Sequence, residues 1–164
     1  MTDIHVYKPY YAPDQDRMEK IVDFLFKHLD QFGDPRRDIQ EAIDFALKRK
    51  VSFGGFLLEA REDDTTVGAV VINQTGMKGY IPENILVYIA VHSDFRGKGI
   101  GKQLMEKAIE QAKGDIALHV EPDNPARKLY EKVGFDNKYL EMRYKKEKKE
   151  NSPLEKAYNK TTVG

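Results

Sequence analysis

Asn84 to Lys113 reads NILVYIAVHSDFRGKGIGKQLMEKAIEQAK, and the fold is decided there. Ile85 to Val91 is the longest apolar run in the chain, seven residues bounded by polar neighbours, and it reads as a buried strand. Arg96-Gly97-Lys98-Gly99-Ile100-Gly101-Lys102 then sets three glycines among three cations. From Gln103 the pattern turns helical, with Leu104, Met105, Ala108, Ile109 and Ala112 on one face. A strand that turns on glycines and opens a helix is suited to an anion. The first amides of a helix have no partner inside it and carry the positive end of its dipole. Glycines let a phosphate approach them without Cβ atoms in the way.

The rest of the chain narrows the class. Its 164 residues predict one domain with a real core. Twenty-seven basic residues balance 27 acidic ones, so no global charge calls for nucleic acid or an anionic membrane. With no cysteine, disulfides, cysteine zinc sites and a thiol nucleophile are excluded, which fits a cytoplasmic location. The N-terminal MTDIHVYKPYY lacks a signal-peptide core. No apolar run approaches the roughly 20 residues of a transmembrane helix. KKEKKE at Lys145–Glu150 opens a charged, polar tail. The expected division is a single domain over 1–145 and a flexible tail over 146–164.

In chain order, Ile4–Lys8 alternates like a strand. Two helices follow: one starts at Pro13-Asp14 and buries Met18, Ile21, Val22 and Leu25, and one buries Ile39, Ile43 and Leu47. Phe56–Arg61 and Thr66–Asn73 read as a hairpin about a polar turn. After the strand, turn and helix of the opening stretch, Ile116–Val120 is a short strand. Asn124-Pro125 starts a helix that Gly134 ends. Phe135 begins a last sheet segment, with Tyr139–Tyr144 as its final strand. Hairpins first and βαβ connections later predict an α/β sandwich around a mixed sheet.

Three patterns compete for the glycine turn. A P-loop, G-x-x-x-x-G-K-S/T, would need glycine at Arg96 and a hydroxyl at Gln103. A dinucleotide fingerprint, G-x-G-x-x-G, fits Gly97 and Gly99 but fails at Lys102. The third, Q/R-x-x-G-x-G/A, is matched by Arg96, Gly99 and Gly101. A second signature lies downstream. Asp123–Phe135, DNPARKLYEKVGF, resembles N-x-x-A-x-x-L-Y-x-x-x-G-F, with Asp123 where the pattern has asparagine.

On these two motifs the chain resembles the GNAT superfamily of N-acetyltransferases, and the order of elements over Ile4–Tyr144 agrees. The resemblance implies an α/β fold with a mixed, mostly antiparallel sheet, splayed central parallel strands and flanking helices. It implies acetyl-CoA as acyl donor and no metal. The pyrophosphate would sit on the amides of Arg96, Gly97, Lys98, Gly99, Ile100, Gly101 and Lys102. The pantetheine arm would lie along Ile89, Ala90 and Val91, and Asn124 would reach it or cap its helix. A backbone N–H near Ile89–Val91 would face the thioester oxygen.

The implied chemistry is direct attack of a primary amine through a tetrahedral intermediate. Tyr130 matches the tyrosine that protonates the leaving thiolate; it also lies on an apolar stripe, and the two readings are compatible. For the base, the motifs put Ile85 at a position where some relatives carry glutamate. Glu121 is then the first candidate and His119 the second, with Glu83, His92 and a water relay as alternatives. Tyr10, Tyr11, Phe32, Tyr80 and Tyr139 are candidates to line the acceptor site. The acceptor itself, a small-molecule amine or a peptide or protein amine, is open. So is a homodimer, because the last strands of such domains often pair between subunits. The alternative function is a catalytically silent acyl-CoA-binding regulatory module.

Overall fold

A computed structural model describes residues 2–146 of the chain. Residues 147–164, nearly all of the expected tail, lie outside that range. The elements are β1 (Thr2–Tyr7), α1 (Gln15–His28), α2 (Arg36–Ala46), β2 (Gly55–Glu62), β3 (Thr65–Gln74), β4 (Asn84–Val91), α3 (Ile100–Gln111), β5 (Ile116–Leu118) and α4 (Arg127–Lys132). The sheet runs β1-β2-β3-β4-β5. Its first three pairings are antiparallel and the last, β4 with β5, is parallel.

Local chemistry sets the ends of α1. The Asp14 carboxylate accepts the Arg17 amide at 2.8 Å, the bond expected of an N-cap. Lys27 and His28 occupy the last turn, at the negative end of the dipole. Met18, Ile21, Val22 and Leu25 are fully buried, as their helical spacing requires. β3 is buried from Thr66 to Ile72 because helices cover both of its faces. α1 and α2 pack over Leu57, Ala69, Val71, Tyr88 and Ala90. On the opposite face α3 and α4 pack over Leu58, Val70, Ile72 and Leu86.

One polar cluster is embedded under α1. Glu59 on β2 is fully buried. Its carboxylate accepts from Tyr7 Oη at 3.0 Å, Thr66 Oγ1 at 2.5 Å and Arg17 at 3.3 Å. Arg17 also pairs with Asp64 in the hairpin turn between β2 and β3. Burial first, and then the Glu59 charge, push the Tyr7 hydroxyl up to about 12. Four elements are therefore tied to one carboxylate: β1, α1, β2 and β3.

Two irregularities of β4 shape everything that follows. Val71 faces Tyr88 while Ile72 faces Leu86, so Val87 is an extra residue on its strand. Such a bulge bends the strand and raises its twist. β5 pairs with β4 only from Asn84 to Leu86. From Val87 to Val91, β4 has no strand on its β5 side among the described residues.

The structure corrects the expected end of the sheet. Among the described residues no strand follows α4. Tyr139, Leu140, Met142 and Tyr144 are exposed, although Leu140, Met142 and Tyr144 alternate as a strand would. Alternation supplies a face but not a partner. A strand also needs a neighbour for its backbone groups, and β5, three residues long, offers little edge.

Candidate active site

The cradle forms where β4 passes into α3. A short 3₁₀ turn, Ser93–Phe95, leads to Arg96. Gly97 and Gly99 then take left-handed conformations, with φ of 78° and 82°, which L side chains adopt at a cost. Alternating left-handed residues turn successive amides toward one concavity. A Cβ built on either glycine meets nothing within 4 Å, so the space over the loop is open. The first intrahelical bond of α3 is Gln103 N–H to Gly99 O at 3.0 Å, which leaves the Ile100, Gly101 and Lys102 amides free of the helix. There is no acidic residue in that first turn.

Gly101 serves a different purpose. A Cβ there would stand 3.0 Å from Leu129 and 3.6 Å from Val91, so its bareness lets α3 sit close to α4 and β4. The Arg96 guanidinium reaches back to the Val91 carbonyl at 3.2 Å. Lys98 lies over the Phe95 ring at 5.0 Å and Lys102 is 3.8 Å from Glu106. Gly99→Ala is expected to cost about 1–2 kcal/mol through left-handed strain. Denaturant unfolding and calorimetric titration with CoA measure how that divides between stability and affinity. No change in either would count against the cradle.

Beyond the cradle, β4 presents its open edge. His92 N–H donates to Val67 of β3 at 2.8 Å. Strand alternation then turns Ala90 toward β3 and turns Ile89 and Val91 to the open side. An extended ligand can pair with those two residues as an added strand. The side chains of Ile89, Val91, Leu118 and Val120 pack into the layer that holds Tyr130.

Tyr130 is 7% exposed and makes no side-chain hydrogen bond among the described residues. Burial pushes its hydroxyl up to about 12, so it stays a proton donor at any physiological pH. Its ring lies 6.2 Å from that of Phe135. Asn124 Oδ1 accepts the Ala126 amide at 2.9 Å, in the turn before α4, whose N-cap Ala126 makes no side-chain cap bond. His119 and Glu121 are exposed just past the end of β5. The Glu83 carboxylate faces the Asp115 amide at 3.4 Å, at the paired end of β4. Tyr10, Tyr11, Tyr80 and Tyr139 are exposed, and Tyr11 stacks on Tyr7.

His92 belongs to an aromatic column. Its Nδ1 accepts the Asp94 amide at 3.1 Å, and its ring lies 4.3 Å from His28 and 5.4 Å from Phe95. His28 in turn stacks on Phe24 at 4.6 Å. Burial first, and then the neighbouring His92, hold the His28 imidazole below its ordinary range. The unfolded chain therefore binds that proton more readily than the folded one. Stability is complete above about pH 6.5, the unfolded value, and falls as pH drops through it toward the folded value. His28→Phe is expected to flatten that loss, checked by Tm against pH from neutral into mildly acidic buffer.

Three features here were not read from the sequence. One is the His28–His92 contact, which joins α1 to the end of β4. Another is the Glu59 cluster, whose signal was a charge inside an apolar strand. The third is a hydrogen bond from Tyr88 Oη to Asp34 Oδ2 at 2.5 Å. Among the described residues no group of three or more metal-ligating side chains stands together. No helix there is long and apolar enough to cross a membrane.

The site is thus a mixed sheet opened along one strand, with a glycine-rich anion cradle at the lip of the opening. The chain belongs to the acetyltransferase (GNAT) family, whose model matches residues 17–135. It is 29% identical over 85 residues to N-alpha-acetyltransferase 30 of Schizosaccharomyces pombe, a match covering 49% of this chain and 57% of that protein. In fold it is similar to a ribosomal-protein-alanine N-acetyltransferase from Brucella melitensis biovar Abortus 2308. That likeness has a TM-score of 0.59 at 24% identity, over 88% of this chain and 99% of that one. It is also similar to the aminoglycoside N-acetyltransferase AAC(6')-Iy in complex with CoA. There the TM-score is 0.65 at 19% identity, over 89% and 95% of the two chains. The fold expected from the sequence, a mixed and mostly antiparallel sheet flanked by helices, is thus the observed one.

Proposed function

We propose that this chain moves an acetyl group from acetyl-CoA to a primary amine, and that the amine is the α-amino group of a peptide or protein. The observation that carries the reading is the open edge of β4 from Val87 to Val91, continuous with the glycine cradle. The named relative, an N-alpha-acetyltransferase, supports the acceptor class.

In this reading the amides of Arg96–Lys102 hold the diphosphate and the Ile89 and Val91 backbone holds the pantetheine arm. A free N–H of the open edge stabilises the oxyanion that forms as the amine adds to the thioester carbon. Tyr130 then gives its proton to the sulfur as the C–S bond breaks. The amine's own proton leaves through water to Glu121 or His119, the exposed groups past the end of β5. An α-amino group suits the site, since its pKa of about 8 leaves more of it neutral than a lysine's.

The test uses acetyl-CoA and two peptide sets, read by mass spectrometry. One set has free α-amines and no lysine; the other has blocked α-amines and one lysine. Acetylation of the first set is the expected result. Acetylation of the second alone would move the acceptor to side-chain amines. CoA binding with no product in either set would replace the enzyme reading by that of a silent acyl-CoA-binding module.

A further inference from the structure

On the face of β4 that carries α1 and α2, the first residues past the last β5 pair are Val87 and Tyr88. The cradle and α4 lie on the opposite face. The face under α1 and α2 carries Tyr88 and, through the Tyr88 hydroxyl, the loop between α1 and α2. Tyr88 is 8% exposed, yet its hydroxyl reaches Asp34 of that loop at 2.5 Å. Asp34 is exposed. Its other oxygen is open, and Tyr88 is its only hydrogen-bond partner among the described residues. The cations at the start of α2 are engaged elsewhere: Arg36 pairs with Asp23 on α1, and Arg37 lies 3.7 Å from Asp38. A carboxylate is therefore fixed at one oxygen, free at the other, left without a cation, and placed beside the point where the sheet opens.

We propose that an amine approaches the opening of β4 from the Tyr88 face, that Asp34 first receives it as its ammonium before it gives up a proton through water and attacks as the neutral amine, and that Tyr88 positions Asp34 by holding one carboxylate oxygen. The proposal rests on the acetyl-transfer reading for its substrate and adds the residue that selects a cationic amine. The same hydrogen bond keeps the Tyr88 hydroxyl protonated: burial first, and then the Asp34 contact, raise its pKa. Asp34 thus keeps its donor at every pH where the amine is charged. Asp30 and Asp38 flank the same loop and add to the negative potential an ammonium meets.

The experiment compares wild type with Asp34→Asn and Tyr88→Phe. Asn keeps an oxygen for the Tyr88 hydroxyl and removes only the charge. With the free-α-amine peptide set, Asp34→Asn is expected to raise the peptide KM about ten-fold or more, the worth of a charge-assisted hydrogen bond. The acetyl-CoA KM should not move. Added salt should raise the wild-type peptide KM and leave that of Asp34→Asn flat, since screening acts only where the charge remains. Tyr88→Phe, with the charge kept but released, should raise KM less and retain the salt response. A second arm needs no turnover. The CoA-loaded protein is titrated with the same peptides and with α-acetylated copies, and binding is read from amide NMR shifts at Asp34 and Tyr88. Shifts with free amines only, lost in Asp34→Asn, support the proposal. Equal binding or equal KM in wild type and Asp34→Asn would overturn it, as would free-amine peptides that leave Asp34 unshifted. Product absent with these shifts present would sink the acetyl-transfer reading alone.

Discussion

Tyr130→Phe is expected to lower the single-turnover rate about a hundred-fold, the lower range for loss of a general acid, while Tm and CoA affinity stay close to wild type. The substitution removes one oxygen from a side chain that is otherwise packed. The ring, set among the apolar side chains of α3, β4 and β5, keeps its contacts. The hydroxyl has no hydrogen-bond partner among the described residues, so its removal leaves no buried group orphaned. A merely structural tyrosine would therefore tolerate phenylalanine without loss of rate. Burial places the hydroxyl near 12, far above the working pH, so the acid stays protonated and the wild-type rate should show no loss of it through mild alkali. An unchanged single-turnover rate in Tyr130→Phe across neutral and alkaline pH would remove Tyr130 from the chemistry.

The largest expected loss of stability comes from Glu59→Ala, about 3–5 kcal/mol, the range for breaking a buried ion pair from one side. Arg17 would keep its exposed partner Asp64 and lose its buried one. Tyr7 and Thr66 would lose the acceptor of bonds now at 3.0 and 2.5 Å. The double variant Glu59→Leu with Arg17→Met replaces the buried charges with apolar volume and is expected to recover most of the loss. Urea unfolding of the three proteins decides it. A Glu59→Ala loss below about 1 kcal/mol, the ordinary worth of a surface pair, would mean that the cluster is solvated in solution.

Much of this architecture was legible before any coordinates. The apolar run at Ile85–Val91 can only be buried, and three glycines next to a helical stripe leave the strand–turn–helix reading few rivals. What the sequence concealed was of two kinds. Apolar periodicity placed Tyr88 inside a strand, but only the extra residue Val87 settles which face it shares with Ala90. A one-residue bulge does not change composition. The other kind is pairing across distance. Asp34 with Tyr88, His28 with His92 and Glu59 with Arg17 lie 54, 64 and 42 positions apart, and nothing in a single chain marks such partners. The opposite error arose at Tyr139–Tyr144, where a convincing alternation lacked a neighbour.

The open edge of β4 has a consequence for how such a protein diverges. A donor gripped by main-chain groups is gripped the same way whatever side chains Ile89 and Val91 carry, provided the strand persists. Substitution there is filtered by packing alone. In the proposal the acceptor side is assembled differently, from side chains such as Asp34 on a loop that can be exchanged without disturbing the strand. If acetyl transfer runs as proposed, donor and acceptor recognition are written in separable parts of the molecule, and a lineage can change its acceptor while inheriting its acetyl source intact.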